Sequence, residues 1–501
     1  MPLCNIPLLM VLAFLFVTLA IGLYTSEKST TFRAAYAVGT QKFHTTTLIA
    51  SLLATSFGGG FLMRELPKMY DQGIYYICFG IAQCTLGSYI LSLLALHMGP
   101  FMKHLSMAEA IGGIYGPYLR MITALLTIGC CTGLVAIQIN VMSHAIGMCM
   151  DTTIPSILTV LATLTLISYA AFGGIRAITI TDLFQLATFT IVIPFLLKLV
   201  FVKTDQSFLE IIRFIQKEEK FQCKNLFKFD KKYWITLLNR LDFLFAWPPS
   251  IIQRFYMSTG PIQAKKVFSR VVLFKTIIYI SICFIGLFVF VGNPTLHKDE
   301  IWRYILENMS PFYKGYLAIS ILAMTMSTAD SYLQTASIMI SHDMVGSMRN
   351  IEAPPYMHKL RLAKLATLVT GLLAMIVTVY YPNLFTLSAF VFEWLIGCFT
   401  VTVIPLFILT VLGFRSTTPT AFIGMGTSIV VMLIWNHWIK PKIEIDGKTI
   451  AIAANSLATM AAHYWRPQPP GTGWAEPDAQ QKRIMQLIRA FKKYRKNIDR
   501  E

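Results

Sequence analysis

Charge is scarce in this chain of 501 residues: 14% are Asp, Glu, Lys or Arg, against 55% hydrophobic. A soluble protein of this length carries about 25% charged residues, so the scarcity excludes a large soluble domain. The mean hydropathy of +0.59 points the same way. Catalytic and nucleotide motifs are also missing: there is no Walker A, no GxSxG and no HExxH. That argues against an enzyme and against an ATP-driven pump. The nine cysteines are scattered, mostly within apolar runs, and have no metal-ligand spacing. They are expected to serve as small membrane hydrophobes, the adjacent Cys130 and Cys131 included. The first apolar segment, Ile6 to Tyr24, has no basic region before it, so it reads as a retained helix and not a signal peptide.

What is present is a series of apolar runs long enough to cross a bilayer, recurring from end to end. About thirteen spans are expected, at roughly 6–24, 43–63, 74–98, 119–148, 153–173, 180–201, 234–254, 268–292, 313–342, 360–380, 384–412, 418–437 and 448–465. The fold class is an all-α polytopic membrane protein. The net charge of +18 lies largely in loops and in the C-terminal region, where it would face anionic lipid, and makes no case for nucleic acid. Basic residues set the orientation. With the N-terminus outside, the inner loops hold Arg33, Lys103, Arg176, Lys265, Lys266, Arg361 and Lys364. The Lys-rich stretch from Lys203 to Lys232 would then lie outside, against the rule, though it also carries acids. The termini are expected on opposite sides, the C-terminus in the cytoplasm.

Two spans are interrupted. In the second, Gly58, Gly59 and Gly60 follow Ala54-Thr55-Ser56-Phe57 at membrane depth. Glycine is a weak helix former. Broken backbone there either frees carbonyls for a cation or serves close helix packing. In the seventh, Pro248 and Pro249 follow Phe245-Ala246-Trp247. Two broken helices five spans apart suggest inverted repeats of five helices, at about 43–201 and 234–412 within a membrane domain over 1–465.

The polar residues at membrane depth are few. Ser327 and Thr328 lie in the ninth span with Met324 and Asp330. The hydroxyls make a hard-oxygen environment that suits sodium or a proton, or they bond back to their own helix. Asp182 opens the sixth span, either as a helix-start carboxylate or as a functional acid. Glu393 sits inside the eleventh, a functional candidate or an ion-pair partner. Gln138, Asn140 and His144 read as helix–helix hydrogen-bonding residues, and Lys198 and Lys275 as snorkelling lysines. After Trp465 a Pro-rich linker leads to a basic amphipathic helix pattern from about 478 to 498, fit to lie on the inner leaflet or dock on a cytoplasmic partner.

Four stretches together resemble the sodium:solute symporter family, which includes proline, choline, sugar and acetate carriers. They are Ala54–Met63, Tyr169–Gln185, Gln253-Arg254 with the preceding Pro249, and Met326–Ser331. The pattern Tyr-x-x-x-Gly-Gly-x-x-Ala-x-x-x-Thr-Asp-x-x-Gln is intact from Tyr169 to Gln185. The resemblance covers roughly residues 6–440 and implies a leucine-transporter-type fold of thirteen helices with a five-plus-five inverted repeat. It implies a sodium site made of the carbonyls of Ala54, Phe57 and Met324 and the hydroxyls of Ser327 and Thr328. Asp182 matches an aspartate along the family's ion exit route. Solute would sit by the two breaks, near Ser56, Gly58, Gly59, Phe245, Trp247 and Pro249, with Asp330 and Glu393 as further candidates. Ser56 departs from the proline carriers, which have an aspartate there. Phe245 and Trp247 replace smaller or tyrosine-bearing residues and would reshape the cavity.

The resemblance implies a sodium-coupled symporter of a small organic solute in a bacterial inner membrane, with no organic cofactor and with a proton as the alternative coupling ion. Two other readings are a membrane sensor signalling through residues 466–501 and a degenerate carrier that binds without transport.

Overall fold

The computed structural model describes residues 5–25, 31–149, 155–222, 231–241, 244–348, 356–475 and 486. The chain opens with α1 (Ile6–Tyr24), α2 (Thr45–Ser56), α3 (Gly59–Gln72), α4 (Ile74–Leu94) and a short α5 (Met107–Tyr115). Next come α6 (Pro117–Cys149), α7 (Pro155–Lys203), α8 (Phe208–Lys217) and α9 (Lys231–Leu241). They are followed by α10 (Pro249–Met257), α11 (Pro261–Gly292), α12 (Ile301–Leu306), α13 (Pro311–Ile338) and α14 (Val345–Met348). The last helices are α15 (Tyr356–Tyr380), α16 (Leu384–Phe390), α17 (Ile396–Leu412), α18 (Thr418–Ile434), α19 (Lys440–Ile443) and α20 (Lys448–Trp465).

Among the described residues, 8 helices or continuous helix runs are long and apolar enough to cross a membrane, and α2 with α3 makes a ninth span bent by 57°. One of the eight, α7, is about twice the length a bilayer needs. It folds back at Gly174, whose φ of 68° and ψ of −172° interrupt the helix. A Cβ there would lie 2.4 Å from the Ala35 carbonyl oxygen, so only glycine fits this corner. The expected loop between the fifth and sixth spans is thus a one-residue turn. Adding α13, α20 and the broken pair α9/α10, all packed into the same bundle, accounts for the thirteen expected spans.

The fold is the leucine-transporter type. Each repeat begins with a broken helix, α2/α3 in the first and α9/α10 in the second. The third members of the two repeats, α6 and α13, pack against each other. From Leu317 to Ile338 nearly every residue of α13 is buried, polar ones included. Its hydroxyls and Asp330 therefore need partners within the protein.

Arg33, Lys103 and Arg120 gather on the face where α1 ends: Arg33 donates to the carbonyls of Met102 and Lys103, and Arg120 pairs with Asp343 at 2.8 Å. On the opposite face, Lys203 donates to the carbonyls of Tyr304 (2.6 Å) and Glu307 (2.7 Å), and Lys220 lies 3.8 Å over the Phe290 ring. Two lysines of the stretch that breaks the basic-residue rule thus serve as internal caps and ring contacts, with α8 folded between them. The segment expected as a free linker also returns to the bundle. Gly473–Trp474 pairs antiparallel with Phe414–Arg415, and the Trp474 and Phe414 rings are 5.2 Å apart. The amphipathic pattern at 478–498 lies, but for Gln486, outside the described residues.

Candidate functional site

The last carbonyls of a helix have no partner inside it. Because α2 stops at Ser56, the carbonyls of Ala54 and Thr55 are in that position, deep in the protein. The α13 hydroxyls meet them. Ser327 Oγ donates to Ala54 O at 3.1 Å, and Thr328 Oγ1 lies 3.4 Å from Thr55 O. Both hydroxyls also approach the Met324 carbonyl, at 3.3 and 2.9 Å. Four of the five expected cation ligands, Ala54, Met324, Ser327 and Thr328, therefore share one buried spot. Phe57, also fully buried, caps α2 with its N–H on Leu53 O. Thr55 O joins the cluster and was not expected. All these oxygens are neutral, which suits a weakly charged hard cation.

The glycine run makes this closeness possible. A Cβ on Gly59 would lie 2.5 Å from Thr325 Cγ2, and one on Gly58 would lie 2.8 Å from Gln138 Oε1 and 3.0 Å from Thr328 Oγ1. Close packing and freed carbonyls are therefore one feature: without the first, α13 cannot reach the second.

One turn further along α13 lies a charged network. Asp182 Oδ2 accepts from Ser51 Oγ at 2.5 Å and pairs with Arg254 Nη2 at 3.3 Å. Arg254 also donates to Thr55 Oγ1 (2.9 Å) and Ser331 Oγ (2.6 Å). Tyr169 donates to Asp330 Oδ2 at 3.0 Å. Arg254, Asp182 and Asp330 are all at most 2% exposed. The network joins α2, α7, α10 and α13 between the oxygen cluster and the face where α2 begins.

On the other side of the cluster a cavity of about 550 Å³ opens toward the α3 end of the bundle. Ser56, Gly58, Trp247 and Thr328 line it, so it touches the oxygen cluster directly. Of the expected solute-site residues, Gly59, Phe245, Pro249, Asp330 and Glu393 are not on its wall. Gly59 is turned to α13. Phe245 packs on the Trp247 ring at 6.0 Å, and Pro249 is the buried first residue of α10. Asp330 belongs to the network below. Glu393 takes the second of its two readings, the ion pair: within a π-turn at Val391–Leu395 it meets Lys440 at 3.1 Å, off the cavity wall, while Phe392 lines it. Arg64 stacks over Phe392 at 4.3 Å and pairs with Glu65 at 3.2 Å.

Gln138 bonds between helices as expected, its Oε1 accepting the Gly60 N–H of α3 at 3.4 Å, and it lines the cavity as well. Lys275 also lines it, midway along α11. Starting the span at 268 put Lys275 near an end. The true start is Pro261, and the basic residues of the first turns hid it. Arg254, quoted only as part of a motif, is the centre of the charged network.

Residues 36–427 match the sequence profile of the sodium:solute symporter family. The chain belongs to the sodium:solute symporter family. A curated relative, sodium/proline symporter 2 of Staphylococcus saprophyticus, is 26% identical over 296 residues, 56% of this chain and 55% of the relative. The match thus spans about half the length of that symporter. Among solved structures, a Na+-coupled sialic acid symporter in a substrate-bound outward-open state superposes with a TM-score of 0.80 at 21% identity, covering 93% of this chain and 98% of the other. Mhp1, a nucleobase-cation-symport-1 family transporter, gives 0.56 at 12% identity over 87% and 94%. Both likenesses concern the fold. As a family member, the chain is a multi-pass membrane protein of a family of transporters, not enzymes.

Proposed function

We propose that this family member is a sodium-coupled symporter of a small organic solute, working by alternating access. The observation that carries the reading is the meeting of Ser327 and Thr328 with the free carbonyls at the end of α2, beside the cavity. Sodium would take the oxygens of Ala54, Phe57, Met324, Ser327 and Thr328, with Thr55 as a sixth candidate. Sodium is favoured over a proton because no group in the cluster titrates. The ion would tie the end of α2 to α13 and so fix the break that shapes the cavity floor. Thr328 belongs to both, so ion and solute would raise each other's affinity, as coupling requires.

The Asp182–Arg254 network closes the path from the cluster to the face where α2 begins. Release on that side would require this buried pair to part, with Asp182 along the ion's route. Orientation follows from the basic residues: Arg33, Lys103 and Arg120 mark the cytoplasmic face, and the cavity opens outward. A bacterial inner membrane is the proposed location. One charge moving down 100 mV contributes about 2.3 kcal/mol, before any concentration gradient. The open cavity supports transport over a degenerate carrier, because Phe245 turns aside instead of filling it.

Equilibrium binding of radioactive sodium to the purified protein tests the site. Saturable binding that weakens about tenfold or more in Ser327→Ala and Thr328→Ala is expected. Unchanged affinity in both variants would remove the cluster from the account.

A further inference from the structure

Lys275 carries its charge into the middle of the membrane domain. It is half-buried on the cavity wall, midway along a helix of 32 residues. Charges at this depth are costly and normally paired. Among the described residues, Lys275 makes no side-chain hydrogen bond and no ion pair; the only bond recorded is from Cys84 Sγ to its backbone oxygen, at 3.9 Å. The acid on the same wall, Glu65, is already engaged, by Arg64 at 3.2 Å and by the Tyr76 hydroxyl at 2.6 Å.

A second wall residue is in the same condition. Trp247 is 4% exposed, and its indole Nε1 has no hydrogen-bond partner. It lies at the break between α9 and α10, on the floor beside Thr328. An ammonium and an indole N–H are both donors that cannot accept. The indole N–H has no accessible surface and lies behind the wall, so it is the unpaired Lys275 ammonium that calls for a ligand presenting acceptors and negative charge. The rest of the wall is mostly apolar: Leu52, Phe61, Ile137, Ile251, Phe268 and Phe392 contribute to it. Where α4 faces the cavity it brings small residues, Gly80, Cys84 and Gly87; the Tyr279 hydroxyl fills the space at Gly80.

We propose that the solute is a small monocarboxylate with an apolar body, its carboxylate held by Lys275. This rests on the reading of the cavity as the solute site of a symporter. The carboxylate cancels the lysine charge and accepts from its ammonium. A neutral polyol would leave the charge uncancelled. A quaternary ammonium would add a second positive charge beside Lys275 and Arg64.

The test is thermal stabilisation of the purified full chain in nanodiscs. The probes are matched carboxylates and their primary amides, from acetate and propionate to phenylacetate, with choline and glucose alongside, each in sodium and in potassium. The expected result is that carboxylates raise the melting temperature while the amides, choline and glucose do not. Lys275→Gln should weaken the carboxylate response about tenfold or more. Lys275→Arg should retain most of it. Stabilisation by sodium alone reports that each variant is folded. Equal response to amides and carboxylates would overturn the proposal, as would a full carboxylate response in Lys275→Gln, or a response confined to choline or glucose, or none to any carboxylate. Carboxylate binding that is the same in sodium and potassium would instead sink the symport reading and leave the anion site standing.

Discussion

At the scale of single residues, Ser327 and Thr328 do two jobs with one oxygen each. They satisfy carbonyls stranded by the end of α2, and under the proposed reading they and those carbonyls would form the coordination shell. Thr328→Ser keeps the oxygen and should keep sodium affinity within about threefold, whereas Thr328→Ala loses it; sodium titrations of the two variants side by side separate lost coordination from lost packing. Arg254 and Asp182 make a sharper prediction. Removing one partner of a buried pair costs about 3–5 kcal/mol because the other charge is stranded. Arg254→Met should therefore lower the melting temperature markedly, and the double change with Asp182→Asn should recover much of the loss. A double variant no more stable than Arg254→Met would show that the two residues do not act as a pair. At this scale the sequence was legible wherever a residue type is costly in a membrane. Ser327, Thr328 and Asp182 stood out against apolar neighbours. Glu393 stood out equally, with an ion pair as one of its two readings, and it is the pair with Lys440 that the structure holds.

At the scale of elements, the break between α2 and α3 and the corner in α7 are set by glycine for different reasons. At Gly174 the reason is backbone conformation; at Gly59 it is the approach of α13. Gly59→Val would push against Thr325 and open the contact that joins the two halves of the oxygen cluster. The expected outcome is loss of sodium binding with the fold retained, checked by sodium titration together with the melting temperature. Another junction holds the end of α13 to α5 on the face assigned to the cytoplasm. Ser106 caps α5 through the Glu109 N–H at 3.0 Å, Glu109 accepts from Leu105 N–H at 2.6 Å, and the His342 ring lies 3.1 Å away. Burial alone would push the Glu109 carboxyl up, but the His342 ring and the Leu105 N–H outweigh it and hold it at about 2. A carboxyl lowered on folding adds stability above its unfolded value, near 4.5, and loses it as pH falls toward about 2. The stability gap between the native chain and Glu109→Gln should therefore be full at neutral pH and shrink between about pH 4.5 and 2, as read from melting curves across that range. A gap independent of pH would mean that Glu109 acts by shape alone. Both broken helices were legible, from three glycines and from two prolines. The start of α11 was not: its first turns carry Lys265, Lys266 and Arg270, and polar residues at a helix mouth look like loop.

At the scale of the molecule, about thirteen helix positions follow from the recurrence of apolar runs and the two repeats from the breaks five spans apart, and the described residues are consistent with that helix count. What the runs could not reveal is which faces meet. The cavity wall draws on α2, α3, α4, α6, α10, α11, α13, α16 and α17, and its lining depends on helix rotation, which mean hydropathy does not encode. Lys275 acquires meaning only once those helices are placed around one space. The oxygen cluster then lies between an open cavity and a closed ionic network. That arrangement is what alternating access requires: solute and ion enter from one side while a separable pair holds the other shut.

The most direct test of coupling is uptake into proteoliposomes. The purified chain would be reconstituted, and accumulation of labelled solutes, carboxylates among them, followed under an inward sodium gradient, an inward potassium gradient, and a sodium gradient with Ser327→Ala. The account predicts concentrative uptake with sodium only, collapsing in the variant. Equal uptake in potassium, or full uptake in Ser327→Ala, would contradict it.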